Sequence, residues 1–228
     1  MSQILSTMLK DFFALLFPEF CVSCKSTLYS NEKVLCSTCI HGLPKVSASS
    51  PSIEARLAGR VKFQNVYAFL KYTKGGMVQQ LLFSIKYKGK KEVAGVLGKW
   101  FAYELLELHE TFDVLIPVPL HKKKLKQRGY NQSELLADAM AQVLGLPVET
   151  GALYRKENKG SLTKKSRVER WKELEGSYCI KDIKPLEDKH VLIVDDVITS
   201  GATFEAVGNL IGQASGVRVS FAALAIAM

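Results

Sequence analysis

The segment VLIVDDVITSGAT, residues 191–203, constrains the fold of this chain more than any other stretch of its 228 residues. A short apolar run of this kind is typical of a strand that is buried on both faces of a parallel sheet. Two acids follow it, then a turn rich in Thr, Ser and Gly, and then helical apolar spacing over residues 204–214. The segment therefore predicts a strand, a turn and a helix, with two carboxylates at the carboxyl edge of a parallel sheet, where ligands bind.

The residue types in this turn suit a phosphate group. Gly201 allows the backbone to approach a ligand closely, and the amides that open the following helix point at an anion under a favourable dipole. Asp195 and Asp196 would repel a phosphate, but their oxygens can accept hydrogen bonds from ribose hydroxyls or orient a hydrated Mg²⁺. The hydroxyl donors of the turn are Thr199, Ser200 and Thr203.

From residue 61 onward, apolar segments recur at the spacing of alternating strands and helices. Asn131, with Glu134 three residues on, is a plausible start of one helix. The pattern predicts an α/β fold with a parallel sheet flanked by helices. The predicted elements are a strand or hairpin at 61–72, helices at 77–87 and 93–108, a strand at 112–119, a helix at 135–144, and a closing strand at 218–227.

The chain carries 31 Lys and Arg against 22 Asp and Glu, a formal charge of +9 that favours phosphate-bearing partners. The charge alone does not choose between a nucleotide, a nucleic acid and a membrane surface. The densest clusters, at 121–128 and 156–170, either face a phosphate site or form a solvated face and a mobile loop. No apolar run approaches the roughly 18 residues of a spanning helix, so no integral membrane span is expected.

Four cysteines form the pattern C-x2-C-x11-C-x2-C, and a fifth, Cys179, stands apart. Four thiolates at two tight turns meet the demand of Zn²⁺ for a closed tetrahedral sulfur shell, and redox-active thiols are the alternative. Cysteine spacing that predicts metal binding rather than disulfide bonds indicates that the protein lies in a reducing cytoplasm. His41 is interpreted as a surface residue, and Cys179 as a buried strand residue. The predicted zinc ligands are Cys21, Cys24, Cys36 and Cys39.

The composition divides the chain into four parts. They are an apolar helix at 1–17, a zinc knuckle at 18–45, a linker at 46–60 and the main domain at 61–228. The first segment lacks a positive n-region and a cleavage site, so it is not interpreted as a signal peptide. Its apolar face either packs against the chain or a partner, or contacts a membrane surface.

The segment at 191–203 resembles the 5-phosphoribosyl-1-pyrophosphate (PRPP) signature of the type I phosphoribosyltransferases throughout its length. The resemblance implies that fold, with Mg²⁺ as a cofactor alongside PRPP, the two acids holding the ribose diol, and the turn holding the 5-phosphate. In purine-salvage members an aspartate that handles the base proton stands at the place of Thr199, so the proton acceptor stays unidentified. The implied PRPP-binding residues are Asp195, Asp196, Val197, Thr199, Ser200, Gly201, Ala202 and Thr203.

The pattern PVPLH…RGYNQ…LA, within 112–137, resembles the ComF/GntX branch of these proteins, which is associated with natural competence for DNA uptake. The paired CxxC, the stretch IKYKGKKEVA (85–94) and the PRPP turn occur in that family's order. That family carries a glutamine at the place of Leu162, followed by an arginine that matches Arg167 or Arg170, in a basic loop that could close over PRPP as a lid. The cationic loop after the strand is predicted, from its charge, to hold pyrophosphate through Leu120, His121, Lys122, Lys126 and Arg128.

The resemblance implies transfer of the phosphoribosyl group from PRPP to an unknown nucleophilic acceptor with release of pyrophosphate, and catalytic roles for Asp195 and Asp196. The alternative is a non-catalytic PRPP sensor that binds single-stranded DNA, although aromatic residues near the lysines are limited to Tyr130 and Trp171. Competence-machinery proteins are the further partners implied. The expected location is cytoplasmic, with membrane association through the first helix or through partners as the alternative.

Overall fold

A computed structural model describes residues 18–29, 31–49, 51–156 and 176–227. The predicted helix at 1–17 lies outside the described residues, and so do Leu162, Arg167, Arg170 and Trp171 of the predicted lid. In the part of the chain that is described, no helix has both the length and the apolar character needed to cross a bilayer.

Helices and strands alternate as the sequence predicts. The helices are α1 (Ser37–His41), α2 (Pro51–Glu54), α3 (Met77–Tyr87), α4 (Lys91–Leu106), α5 (Lys122–Arg128), α6 (Gln132–Leu144) and α7 (Ala202–Ile211), with a 3-10 turn at Lys184–Leu186. The strands are β1 (Val66–Tyr72), β2 (Val114–Pro117), β3 (Leu153–Arg155), β4 (Tyr178–Ile180), β5 (His190–Ile198) and β6 (Arg218–Ala227).

Four strands form a parallel sheet in the order β1-β6-β5-β2. The predicted closing strand, β6, is therefore an interior strand between β1 and β5. Nearly all of β5 and β6 is buried, as expected of strands covered on both faces. Strands β3 and β4 pair separately as an antiparallel ribbon. The α/β class, a parallel sheet flanked by helices, is confirmed.

The sheet separates two apolar cores. One lies under α3, α4 and α6, and the other under α7 and the β3–β4 ribbon. The predicted helix start is confirmed, because the Asn131 side chain accepts a hydrogen bond from the Ser133 N–H at 3.2 Å. Helices α4 and α6 approach closely at Gly98, where an added Cβ would lie 2.9 Å from the Ala139 Cβ.

The prediction of a linker at 46–60 is corrected by the structure. The Val46 N–H donates to the Phe69 carbonyl at 3.0 Å, and the Ala68 N–H donates to the Ala48 carbonyl at 3.0 Å. Ile53 and Leu57 are fully buried. Small polar residues suggested a linker, but backbone pairing with β1 does not depend on side-chain polarity, so the segment joins the fold.

The cysteine-rich segment shares a core with the sheet. Val34, Leu35 and Leu43 are buried in the same apolar cluster as Tyr67 and Phe69 of β1. Residues 61–65 precede β1, so the region predicted as a strand or hairpin is a single strand.

Candidate functional site: two buried acids and an adjoining turn

Asp195 and Asp196 lie near the carboxyl end of β5, just past the last pair that β5 makes with β2, between Pro117 and Val194. Their exposed fractions are only 9% and 6%. The strand continues to Ile198, so the acids stand inside β5 rather than after it. Because β2 has ended at this point, neither acid is paired with a residue of β2.

Asp195 is held by two hydrogen bonds to the same carboxylate oxygen. The Ser133 hydroxyl, in the first turn of α6, donates to Asp195 Oδ1 at 2.8 Å, and the Asp196 N–H donates at 2.8 Å. Burial and, next, the neighbouring Asp196 charge raise the pKa of Asp195 from 3.8 to about 7. The pair can therefore hold a proton near neutral pH.

Asp196 is paired with a cation that the sequence analysis did not single out. Lys86 Nζ, from the last turn of α3, lies 2.5 Å from Asp196 Oδ2. Both side chains are largely buried, at 25% and 9% exposed. Lys86 belongs to the stretch IKYKGKKEVA, so the family resemblance was the signal that could have identified it.

The turn after β5 encloses a small cavity of about 100 Å³. Gly201 adopts a left-handed conformation with φ of 78°, and a Cβ there would lie 2.7 Å from the Leu57 Cδ2 atom. Only glycine fits both the dihedral angle and the space. The predicted residues that line the cavity are Asp195, Val197, Thr199, Ser200, Gly201, Ala202 and Thr203, whereas Asp196 contacts Lys86.

Two arginines from the predicted linker contact the outer side of this turn. Arg56 donates to the carbonyl oxygens of Thr199 and Ala227, and Arg60 donates to the carbonyl oxygen of Ser200. Neither arginine was among the site residues predicted from the sequence. Their spacing of four, with Leu57 buried between them, is the signal of a helical turn with two cations on one face.

The segment predicted as a pyrophosphate-binding loop is a helix. Residues Lys122–Arg128 form α5, which His121 caps by accepting the Lys123 N–H at 3.2 Å, because consecutive lysines with leucine and glutamine favour helix. Lys122 and Lys126 are exposed, and Leu120, which precedes α5, is half-buried.

A cavity of about 260 Å³ lies beside this helix. Of the five residues predicted for pyrophosphate, Arg128 lines it, with its guanidinium 5.5 Å from the centre of the Tyr87 ring. Lys86 also lines this cavity and links it to the acids through Asp196. The complete lining is Lys86, Tyr87, Gly89, Lys124, Gln127, Arg128 and Tyr130.

The β3–β4 ribbon approaches the start of α7. Tyr178 of β4 is 3% exposed, and the Thr203 side chain lies near its hydroxyl. Burial raises the pKa of the Tyr178 hydroxyl, so it stays protonated at neutral pH. The neighbouring Cys179 lies in β4, as predicted, but it is only half-buried rather than buried.

The four paired cysteines form one cluster, in which all the sulfur atoms lie within 4.8 Å of one another. Cys24 Sγ is 3.6 Å from Cys36 Sγ, and the Cys36 N–H donates to Cys21 Sγ at 3.4 Å. Four sulfur atoms bonded to one zinc ion at about 2.3 Å in a tetrahedron lie about as far from one another as the sulfur atoms of this cluster do. The cluster can therefore hold a zinc ion. His41 is exposed at the end of α1.

Comparison with known proteins identifies the class. Residues 131–227 match the phosphoribosyl transferase domain. The chain is 26% identical to the DNA utilization protein YhgH of Escherichia coli strain K12, over 79% of this chain and 78% of that protein. It is 30% identical to the competence protein ComFC of Bacillus subtilis strain 168, over 58% of this chain and 52% of that protein. A purine phosphoribosyltransferase from Pyrococcus horikoshii matches with 23% identity and a TM-score of 0.36, over 57% of this chain and 70% of that one.

The chain thus carries a phosphoribosyltransferase domain with its parallel sheet, preceded by a four-cysteine cluster. Together with this domain, the similarity to the YhgH and ComFC proteins supports a ComF-type phosphoribosyltransferase family protein.

Proposed function

We propose that this protein binds PRPP with Mg²⁺ at the carboxyl end of β5 and transfers its phosphoribosyl group to a nucleophilic acceptor, releasing pyrophosphate. The observation that carries the proposal is the pair of buried acids, Asp195 and Asp196, in the same strand that leads into a turn that can enclose a phosphate. The carboxylates would accept hydrogen bonds from the ribose hydroxyls, and the turn from Thr199 to Thr203 would hold the 5-phosphate.

The reaction would break the bond between C1 and the pyrophosphate oxygen and form a bond from C1 to the acceptor, which loses a proton. Positive charge that develops on the ribose would be stabilised by the neighbouring carboxylates. Mg²⁺, when bound, would neutralise charge on the leaving pyrophosphate. Lys86 and Arg128 line one cavity and would bind that pyrophosphate through their positive charges. Thr199 carries a hydroxyl and cannot serve as a carboxylate base, so the acceptor's proton goes to another group.

The test is calorimetric titration of PRPP with Mg²⁺ into the wild type, Asp195→Asn and Asp196→Asn. We expect binding by the wild type and at least about tenfold weaker binding by each variant, because each removes charge-assisted hydrogen bonds. Asp138→Asn, an exposed acid on α6, is the matched control and should bind as the wild type does. Absence of PRPP binding by the wild type would refute the proposal.

Transfer is tested separately from binding. A panel of nitrogen and oxygen nucleophiles would be incubated with PRPP and Mg²⁺, and pyrophosphate release would be measured. We expect release to depend on one acceptor and to be lost in Asp195→Asn. Binding without release for any acceptor would leave a PRPP-binding protein and would contradict the transfer step.

A second candidate function is binding of single-stranded DNA, which a groove on another face supports. The groove, about 990 Å³, lies between the cysteine-rich segment and α3. Phe20 and Phe83 line it and are 55% and 49% exposed. Exposed rings with nearby cations suit stacked bases and phosphates. The lysines that line it are Lys25, Lys33, Lys88 and Lys90.

A short thymidine oligonucleotide would be titrated at two salt concentrations into the wild type, Phe83→Ala and Asp195→Asn. We expect affinity to fall steeply with salt, to weaken in Phe83→Ala, and to be unchanged in Asp195→Asn. No binding at low salt would eliminate this function. Binding that Phe83→Ala leaves unaltered would place the oligonucleotide elsewhere.

A further inference from the structure

We infer that Arg56 and Arg60 are positioning residues for the phosphate turn: they hold its carbonyls outward so that its amides face the ligand. The inference rests on the proposed function and assigns a specific task to a segment that the sequence suggested was only a linker. It is carried by the contacts of two guanidinium groups with the backbone between Thr199 and Ser200.

Arg56 joins the turn to the end of the neighbouring strand. Its Nη1 donates to the carbonyl oxygen of Thr199, and its Nη2 donates to the carbonyl oxygen of Ala227, the last residue of β6, at 2.5 Å. A planar guanidinium with two such bonds fixes the distance and angle between its acceptors, which a lysine ammonium cannot do.

Arg60 holds the next peptide group. Its Nη1 donates to the carbonyl oxygen of Ser200 at 2.5 Å and to that of Arg56 at 2.8 Å. Its Nη2 pairs with Glu205 Oε2, on the first turn of α7. The arginine and the glutamate side chains are 32% and 14% exposed, so this ion pair is shielded from solvent in part. Arg60 thus connects the segment that follows α2, the turn and α7.

Because of the geometry of the peptide group, these contacts to carbonyl oxygens also determine where the N–H groups of the turn point. In a trans peptide, the carbonyl of one residue and the N–H of the next point in opposite directions, and every peptide bond among the described residues is trans. Holding the Thr199 carbonyl toward Arg56 therefore directs the Ser200 N–H away from it. Holding the Ser200 carbonyl toward Arg60 does the same for the Gly201 N–H. Two consecutive donors are thereby pre-oriented on the opposite side of the turn.

The space around Gly201 supports the same assignment. A Cβ at Gly201 would lie 2.7 Å from Leu57 Cδ2, 3.0 Å from the Arg56 carbonyl oxygen and 3.3 Å from Arg60 Nη1. The turn is therefore pressed directly against the segment that carries both arginines. Fixed donors bind an anion more tightly than donors that must be ordered on binding, because the cost of ordering is met during folding.

The experiment compares three ligands that share different parts of PRPP, measured by calorimetry on the full chain. Ribose 5-phosphate carries the 5-phosphate alone, Mg-pyrophosphate carries only the leaving group, and Mg-PRPP carries both. The variants are Arg56→Met, and Arg60→Met combined with Glu205→Gln, which also removes the negative charge that Arg60 offsets beside the anion site. Arg218→Met, an exposed arginine at the amino end of β6, is the matched control.

We expect both sets of variants to bind ribose 5-phosphate and Mg-PRPP about tenfold more weakly, and Mg-pyrophosphate as well as the wild type does. Arg56→Lys, which keeps the charge without the two-oxygen geometry, should recover part of the affinity and serves if Arg56→Met does not fold. Thermal unfolding of each variant checks that the protein is folded during the titrations.

Different results separate the two proposals. If the wild type binds neither ribose 5-phosphate nor Mg-PRPP, the proposed function fails and the inference fails with it. If the wild type binds PRPP and the arginine variants bind the 5-phosphate ligands equally well, the proposed function stands and the positioning role is wrong. Equal weakening of all three ligands, pyrophosphate included, would indicate a general loss of structure and would also overturn the positioning role.

Discussion

The acid pair sets the behaviour of the site at the scale of single residues. Asp195 is buried, accepts two hydrogen bonds on one oxygen, and adjoins a second carboxylate that is paired with Lys86. The low-dielectric surroundings disfavour a second negative charge, which is why the pKa of Asp195 rises to about 7. A ligand that needs both carboxylates ionised must displace a proton.

We therefore expect Mg-PRPP affinity to increase as the pH rises through the pKa of Asp195, about 7. Below that pH the affinity should fall by up to about tenfold per pH unit, with proton release on binding, because the ligand selects the ionised form. Titrations in two buffers of different ionisation enthalpy measure the released proton. In Asp195→Asn the remaining affinity should be nearly independent of pH over this range, and a wild type with pH-independent affinity would contradict the expectation.

The same pKa shift affects stability with a defined sign. The folded chain binds the Asp195 proton more tightly than the unfolded chain, whose aspartate titrates near 3.8. This contribution to the free energy of unfolding is complete below pH 3.8 and is lost as the pH rises through about 7. Urea denaturation across this range should show a smaller loss for Asp195→Asn than for the wild type.

Gly201 gives a second test at this scale. Gly201→Ala should lower the free energy of unfolding by about 3 kcal/mol, since a left-handed alanine costs about 1 kcal/mol and crowding against Leu57 adds to it. Gly145→Ala is the matched control, with φ of 70° and no atom within 4 Å of the added Cβ, and should lose only the first part. Urea denaturation measures both. Equal losses would show that the space beside Leu57 is not limiting.

At the scale of elements, α4 and α6 pack closely at Gly98, where the space beside the Cα atom accommodates only a hydrogen atom. Gly98→Ala would bring a Cβ within 2.9 Å of the Ala139 Cβ and 3.0 Å of the Leu136 carbonyl oxygen, both on α6. We expect a loss of about 1–3 kcal/mol in the free energy of unfolding. Gly95→Ala, on the same helix with nothing within 4 Å, should instead stabilise the chain by about 0.5–1 kcal/mol. A stabilising Gly98→Ala would mean that the two helices separate easily.

Several elements were predictable from local pattern. Helix α3 occupies the predicted range 77–87, and α6 begins at its predicted cap, Asn131. The cationic segment at 121–128 was predicted as a loop and is the helix α5. Its charge indicated an anion site, but which lysines face a cavity depends on the geometry of the helix. Lys124, rather than the predicted Lys122, lines the cavity beside α5.

At the scale of the whole molecule, the cysteine-rich segment and the sheet share one apolar core, so they should unfold together. We expect the cluster to bind zinc. Removal of that zinc by a chelator, or Cys39→Ser, should lower the melting temperature by about 10 °C in a single transition, because metal-binding free energy becomes folding free energy. Metal analysis and circular dichroism provide the measurements. Cys179→Ser, outside the cluster, is the control and should keep its zinc. Two separate transitions would show that the cluster folds independently.

The sequence by itself determined the strand, turn and helix at 191–211, the four clustered cysteines and the α/β class. These depend on local periodicity and on residue spacing, which a linear pattern contains in full. Only the tertiary structure decided that β6 lies inside the sheet and that Ser133 and Lys86 hold the two acids. It also placed Arg56 and Arg60 behind the turn. Each of these contacts joins residues far apart in the chain, and strand order and close packing, rather than any local signal, bring them together.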